Sequence, residues 1–280
     1  MTKLENQVVL ITGCSTGIGR ALALELKASG HRPFATARKL EAIADLAAQG
    51  IETLALDVKD TASIAAAVAT IRKSAGRIDV LINNAGQNAF GPILELPLER
   101  VRSTFETNVL GLLAVTQAVF PVMAAQRDGL VVNVGSVVGI LPTPFAAAYC
   151  ATKSAVHMLS EVMRMEAAPF GIDVVVVQPG GVKSSIADNA AHDIARFKAP
   201  PSLYHRVYAG IEKRAYSSQD GPMPTEDFAR ELVLQAFVAP PPRVIRLGTG
   251  SDTLPRFAEL EGEKRDAILS KNYGLDTLAD

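Results

Sequence analysis

The sequence predicts a doubly wound α/β fold, an open parallel sheet of about seven strands with helices on both faces. Three observations carry this expectation. Short β-branched runs alternate with longer stretches of helical periodicity. The runs are almost wholly apolar, as strands covered on both faces require. The chain of 280 residues, 48% apolar and 20% charged, is long enough to bury one large core. Strands alternating with helices need crossover connections, and crossovers make neighbouring strands parallel.

The first run, Val8 to Thr12, leads through a glycine-rich turn into a helix over Ile18 to Ser29. There Ile18, Leu22 and Leu26 recur on one face and Gly30 closes the pattern. Phe34 to Ala37 is the second strand, with Pro33 expected at its first residue, where a missing N–H is tolerated. Thr53 to Val58 is the third strand, followed by a helix over Thr61 to Ser74 and a strand over Val80 to Asn83. A long helical pattern over Leu98 to Gln126 precedes the strand Leu130 to Val134, and a helix over Ala148 to Ala168 precedes the strand Val174 to Gln178. A helix over Glu226 to Val238 and a strand over Val244 to Leu247 complete the alternation. Its one long interruption, Lys183 to Pro224, is expected to cover the site as a lid, so the chain reads as one domain over 1–280 with a lid at 183–224.

Composition excludes several function classes. Lys plus Arg total 28 against 29 for Asp plus Glu, a net charge of -1 that leaves no footprint for nucleic acid or an anionic membrane. Cys14 and Cys150, the only cysteines, build neither a disulfide framework nor a zinc site, and both are assigned to packing. With a polar start and no signal h-region, the expected location is cytoplasmic. Thr107 to Gln126 is free of charge, but Asn108, Thr116, Gln117 and Pro121 dilute it, so a core or subunit-contact helix is expected rather than a membrane span. His157 is read as a helix-face histidine, since Gly135-Ser-Val-Val-Gly139 lacks a hydrolase's Gly-x-Ser-x-Gly elbow, and His31, His192 and His205 have no metal-ligand spacing, so no metal is expected.

The chemistry-bearing residues start at Thr12-Gly-Cys-Ser-Thr-Gly-Ile-Gly19, between the first strand and the first helix. Gly13 permits a tight turn, Gly17 lets backbone approach a pyrophosphate, and Gly19 lets helix pack on strand, while the helix N-terminus favours the anion. Tyr149 and Lys153, four apart on a helix, project from one face. A nearby ammonium favours the phenolate, so Lys153 is expected to lower the Tyr149 pKa and make it a usable acid and base. Ser136, at the mouth of a buried strand, offers a hydroxyl to the substrate oxygen whose proton Tyr149 exchanges. At the end of the second strand Ala37 stands where an acidic residue would bond the ribose of NAD, and Arg38 follows it, which favours NADP.

Thr-Gly-x-x-x-Gly-x-Gly, Asn83-Asn-Ala-Gly86, Ser136, Tyr149-Cys-Ala-Thr-Lys153 and Pro179-Gly180 follow one another in an order that resembles the short-chain dehydrogenases/reductases, over residues 7 to 184. The resemblance implies a Rossmann-type fold and reversible hydride transfer between NADP(H) and a carbonyl or alcohol. Within the family the chain is similar to hydroxysteroid, retinoid and acyl-dihydroxyacetone-phosphate reductases. It further implies that Asn108 holds a water relaying protons to Lys153, that Asp57 contacts adenine, and that Ser184 holds the nicotinamide carboxamide. Ser15, Thr16, Ile18, Asn84, Ala85, Gly86, Pro179, Gly180 and Val182 join the implied cofactor contacts, with Tyr149 and Lys153.

The substrate is expected to be a hydrophobic ketone, aldehyde or alcohol, walled by Phe90, Ile93, Leu94, Ile140, Leu141, Phe145, Ile186, Phe197, Tyr204 and Tyr208. A homodimer or homotetramer is expected through the helices at Leu98 to Gln126 and Ala148 to Ala168, which are more apolar than one core face requires. The alternative is an NADP-binding sensor or interaction protein that has lost turnover, against which the intact Ser, Tyr, Lys and Asn set argues.

Overall fold

Seven parallel strands run in spatial order β4-β3-β2-β5-β6-β7-β9 in the computed structural model, which describes residues 2–183 and 190–278. They are β2 (Val8–Ile11), β3 (Arg32–Ala37), β4 (Glu52–Ala55), β5 (Val80–Asn83), β6 (Gly129–Val134), β7 (Ile172–Pro179) and β9 (Val244–Leu247). A separate antiparallel pair joins β1 (Thr2–Lys3) to β8 (Val238–Ala239). The chain winds outward from β2 through β3 to β4, then returns to β5 on the opposite side of β2. That reversal opens a crevice beyond the carboxyl ends of β2 and β5, the usual ligand position in such sheets.

The apolar runs form strands because both faces are covered. Val9, Ile11, Val80, Ile82, Val132 and Val175 face a core completed by α1 (Gly17–Ala28) and, from late in the chain, α9 (Thr225–Ala236). The alternate residues Val8, Leu10, Leu81, Val131 and Val174 face α3 (Thr61–Ala75), α5 (Gly111–Gln126) and the end of α6 (Ala147–Ala167). Asp60 caps α3 by accepting from the N–H groups of Ala62 and Ser63 at 2.9 and 3.3 Å. A short α2 (Ala44–Ala48) links β3 to β4. Pro33 is the second rather than the first residue of β3; β4 begins only opposite Phe34, so the missing N–H falls where no neighbouring strand needs it.

The expected helix over Leu98 to Gln126 is present but not uniform. It comprises α4 (Leu98–Phe105), a π turn (Glu106–Leu110) and α5. By length and composition it is apolar enough to cross a membrane; in the fold Val115, Val119 and Met123 are fully buried against the sheet.

A third cluster lies over the carboxyl end of the sheet. After α7 (Ala190–Ile194) and α8 (Tyr208–Tyr216), the chain closes with α10 (Thr253–Ala258) and α11 (Gly262–Tyr273). Ile194, Phe197, Val207 and Ile211 pack there with Phe90, Phe145, Leu269 and Tyr273. The strand and helix alternation did not predict α10 and α11, and they supply part of the site.

Candidate active site

The glycine loop is held in place by Thr12 and Asn84, which join the ends of β2 and β5. Thr12 Oγ1 accepts from the N–H groups of Asn84 and Ala85, both at 3.0 Å, while Asn84 Nδ2 donates to the carbonyls of Thr12 and Gly13 at 2.9 and 3.0 Å. Gly13, at φ +75°, sits where an added Cβ would lie 2.8 Å from Ala85 Cα. At Gly19 an added Cβ would lie 2.5 Å from the Gly13 carbonyl oxygen, so only glycine lets α1 start this close to the turn. The result is a cleft of about 480 Å³ lined by Gly13, Ser15, Thr16, Gly17, Ile18, Arg38, Asp57, Asn84, Ala85 and Gly86. Lys59, whose N–H donates to Asp57 Oδ1 at 3.0 Å, also lines it and adds a second cation near Arg38.

A second cavity of about 500 Å³ lies beside the first, lined by Ser136, Tyr149, Lys153, Pro179, Gly180 and Val182. Ile18, Asn84, Gly86, Asn88 and Phe90 line both, so the two spaces meet at the end of β5. Ser184 and Ile186 lie outside the described residues. Phe90 and Leu141 line the second cavity as expected. Leu94 is 83% exposed and Ile93 and Ile140 also face outward, whereas Phe145 and Phe197 are buried in the third cluster with Tyr204 and Tyr208 against it. The other walls come from Val138, Leu254, Phe257, Ile268 and Leu269.

Tyr149 and Lys153 both reach the second cavity from α6, with Lys153 Nζ 5.6 Å from the Tyr149 ring centroid. Burial pushes the phenol up to about 12; a hydrogen bond from Ser136 and the charge of Arg214 pull it down by less. The expected lowering of the Tyr149 pKa by Lys153 is therefore corrected. The ammonium, 5% exposed, donates to the Val134 carbonyl at 2.7 Å, and burial takes its own pKa down to about 8.

The π turn carries Asn108 inward. Its Oδ1 accepts from the Gln87 N–H at 2.8 Å, and its Nδ2 donates to the Gln87 carbonyl at 2.9 Å and to Thr152 Oγ1 at 3.0 Å. It thus ties the loop after β5 to the residue preceding Lys153. π turns commonly mark functional positions, and nothing in the continuous apolar pattern predicts one here.

His157 supports Ser136 from behind: the Ser136 N–H donates to its Nε2 at 3.4 Å, and burial lowers the imidazole to about 4, leaving it neutral. Cys14 and Cys150 are both buried, in line with packing roles.

The short chain dehydrogenase family model matches residues 7–195, more than half of the chain. The chain belongs to the short-chain dehydrogenase family. Family members of this kind are nicotinamide-dinucleotide-dependent oxidoreductases, and this short-chain dehydrogenase shares that general chemistry. It is 40% identical to the NADPH-dependent 1-acyldihydroxyacetone phosphate reductase of Schizosaccharomyces pombe over 71% of this chain and 68% of that protein. It is 34% identical to human 17-beta-hydroxysteroid dehydrogenase type 1 over 95% of this chain and 83% of that one. A short-chain dehydrogenase/reductase from Burkholderia phymatum, solved in complex with NAD, superimposes with a TM-score of 0.76 at 26% identity, covering 88% of this chain and 90% of that one.

Proposed function

We propose that the enzyme uses NADPH to reduce the carbonyl of a hydrophobic ketone or aldehyde, reversibly. One observation carries the reading: the Tyr149 and Ser136 side chains together border the substrate cavity beside its junction with the glycine-loop cleft. The cleft suits a dinucleotide, because Gly13 and Gly19 leave open backbone that a Cβ would fill and the N-terminus of α1 faces it. Ala37, Arg38 and Lys59 favour the extra phosphate of NADP, with Asp57 available to the adenine. When bound, the cofactor supplies the hydride.

The chain's own residues place the carbonyl and supply the proton. With its pKa near 12, Tyr149 stays protonated at neutral pH and donates to the oxygen as charge builds there. The Ser136 hydroxyl orients that oxygen, and the His157 ring fixes the backbone that carries it. Lys153, near 8, is charged at neutral pH and returns a proton to Tyr149. Asn108 holds Lys153 in register through Thr152 and leads the relay toward solvent. The apolar walls favour a hydrophobic substrate, and Arg214, Ser217, Ser218 and Asp220 bring the later part of the segment 183–224 to the cavity within one catalytic unit over 1–280. Leu110, Met158, Val162 and Met165 leave apolar surface exposed on the π turn and α6, which supports a homodimer or homotetramer. The test is NADPH consumption over steroid, lipid and aryl carbonyls; no consumption with any of them would reject the reading.

A further inference from the structure

The geometry points to Arg214 as the anchor for an anionic group, a phosphate monoester or a carboxylate, on the substrate whose carbonyl meets Tyr149. This deepens the carbonyl-reductase reading and rests on it. Arg214 is 6% exposed and lines the same cavity as Tyr149, Ser136 and Lys153. Among the described residues it has no carboxylate partner in any ion pair, and unlike Lys153, the other buried cation, whose ammonium donates to the Val134 carbonyl, it keeps a buried donor unmatched. Its Nη1 donates to Ser217 Oγ at 3.1 Å, and its Nε is buried with no acceptor. Its guanidinium carbon stands 5.4 Å from the Phe90 ring centroid, a contact that orients the plane without neutralising the charge.

A buried cation normally carries a partner, because desolvation is otherwise uncompensated. Among the described residues the surroundings offer none. Asp220, the carboxylate lining this cavity, is exposed and forms no ion pair with Arg214. Tyr149, Cys150 and Tyr273 all feel the Arg214 charge, and none of them is an anion at neutral pH. The guanidinium fork with a free Nε matches the bidentate geometry of a phosphate or carboxylate. Ser217, Ser218 and Asn272 line the same cavity and add hydroxyl and amide groups. Besides Lys153, which serves Tyr149, the cavity has apolar walls and this one further buried cation, and they describe an amphiphile: a long apolar body carrying a carbonyl and one negative group.

The test uses the full chain with NADPH and three ketones sharing one alkyl body, ending in a phosphate monoester, a carboxylate or a methyl ester. Wild type should favour at least one anion over the ester by about ten- to a hundredfold in kcat/KM, mainly through KM. Arg214→Met should bring that ratio close to one, and Arg214→Lys should keep part of it, since charge remains without the fork. Ratios near one in wild type, or equal losses on all three ketones in Arg214→Met, would overturn the inference while leaving carbonyl reduction intact. Which anion is preferred separates a phosphate from a carboxylate substrate. Calorimetric binding of dodecyl phosphate, dodecanoate and dodecanol to the NADPH-loaded wild type needs no turnover or variant. Anions binding at least about tenfold tighter support Arg214 as the anchor even if no carbonyl is reduced, and binding equal to that of the alcohol overturns it.

Discussion

Replacing Lys153 with methionine should remove a pH dependence of stability that the fold imposes on this amine. The folded pKa, about 8, lies below the reference 10.5, so the unfolded chain binds the extra proton between those values. Stability therefore bears the full cost of the buried charge below pH 8 and rises as pH goes from 8 to 10.5. A shift of that size corresponds to about 3 kcal/mol, because each pKa unit is worth about 1.4 kcal/mol. Met fills similar volume without the charge, and leaving the Val134 carbonyl without its donor costs about 1–3 kcal/mol at every pH. The slope, not the offset, is thus the readout. The raised Tyr149 pKa acts in the opposite sense, eroding stability above pH 10, and is common to both proteins. Urea unfolding at a series of pH values should give a wild-type minus Lys153→Met difference that climbs by about 3 kcal/mol across that window. A difference flat with pH would refute the claim that burial, rather than hydrogen bonding, governs this amine.

Arg38→Asp should lower the ratio of kcat/KM for NADPH over NADH by at least about tenfold, since a charge-assisted contact is worth about 1.5–3 kcal/mol and the aspartate adds repulsion. An unchanged ratio in steady-state kinetics would assign cofactor preference elsewhere, with Lys59 the next residue to replace. Light scattering at micromolar concentration should report a dimer or tetramer, and Met158→Asp combined with Met165→Asp should yield monomers; a monomeric wild type would reject the oligomer.

The sheet was legible because each strand is a short apolar run bounded by turn residues, and the motif order placed the glycine loop, Ser136, Tyr149 and Lys153 at the carboxyl ends of those strands. The rest depends on tertiary packing. The π turn at Asn108 interrupts an unbroken apolar pattern, so nothing local marks it. Helix α11 buries chiefly Leu269 and Tyr273 among charged neighbours, too weak a stripe to reveal a wall of the substrate cavity. Ile93 and Leu94 look like pocket residues by hydrophobicity, yet they face outward because Phe90 and Leu96 already anchor that loop. Arg214 reads as one more basic residue in a basic segment until α8 packs it beside Phe90. The Tyr149 and Lys153 spacing places both side chains correctly, but the backbone acceptor at Val134 and the depth of burial decide their pKa values.

In the proposed reaction the Tyr149 phenol supplies the proton for carbonyl reduction. Tyr149→Phe keeps the ring that packs beside Lys153 and removes only the hydroxyl. Single-turnover oxidation of bound NADPH by a reducible ketone isolates the chemical step from product release. The rate should fall by about a hundredfold to ten-thousandfold, with NADPH affinity nearly unchanged. A variant that retained more than about a tenth of the wild-type single-turnover rate, well short of the loss general acid catalysis entails, would contradict this role for Tyr149.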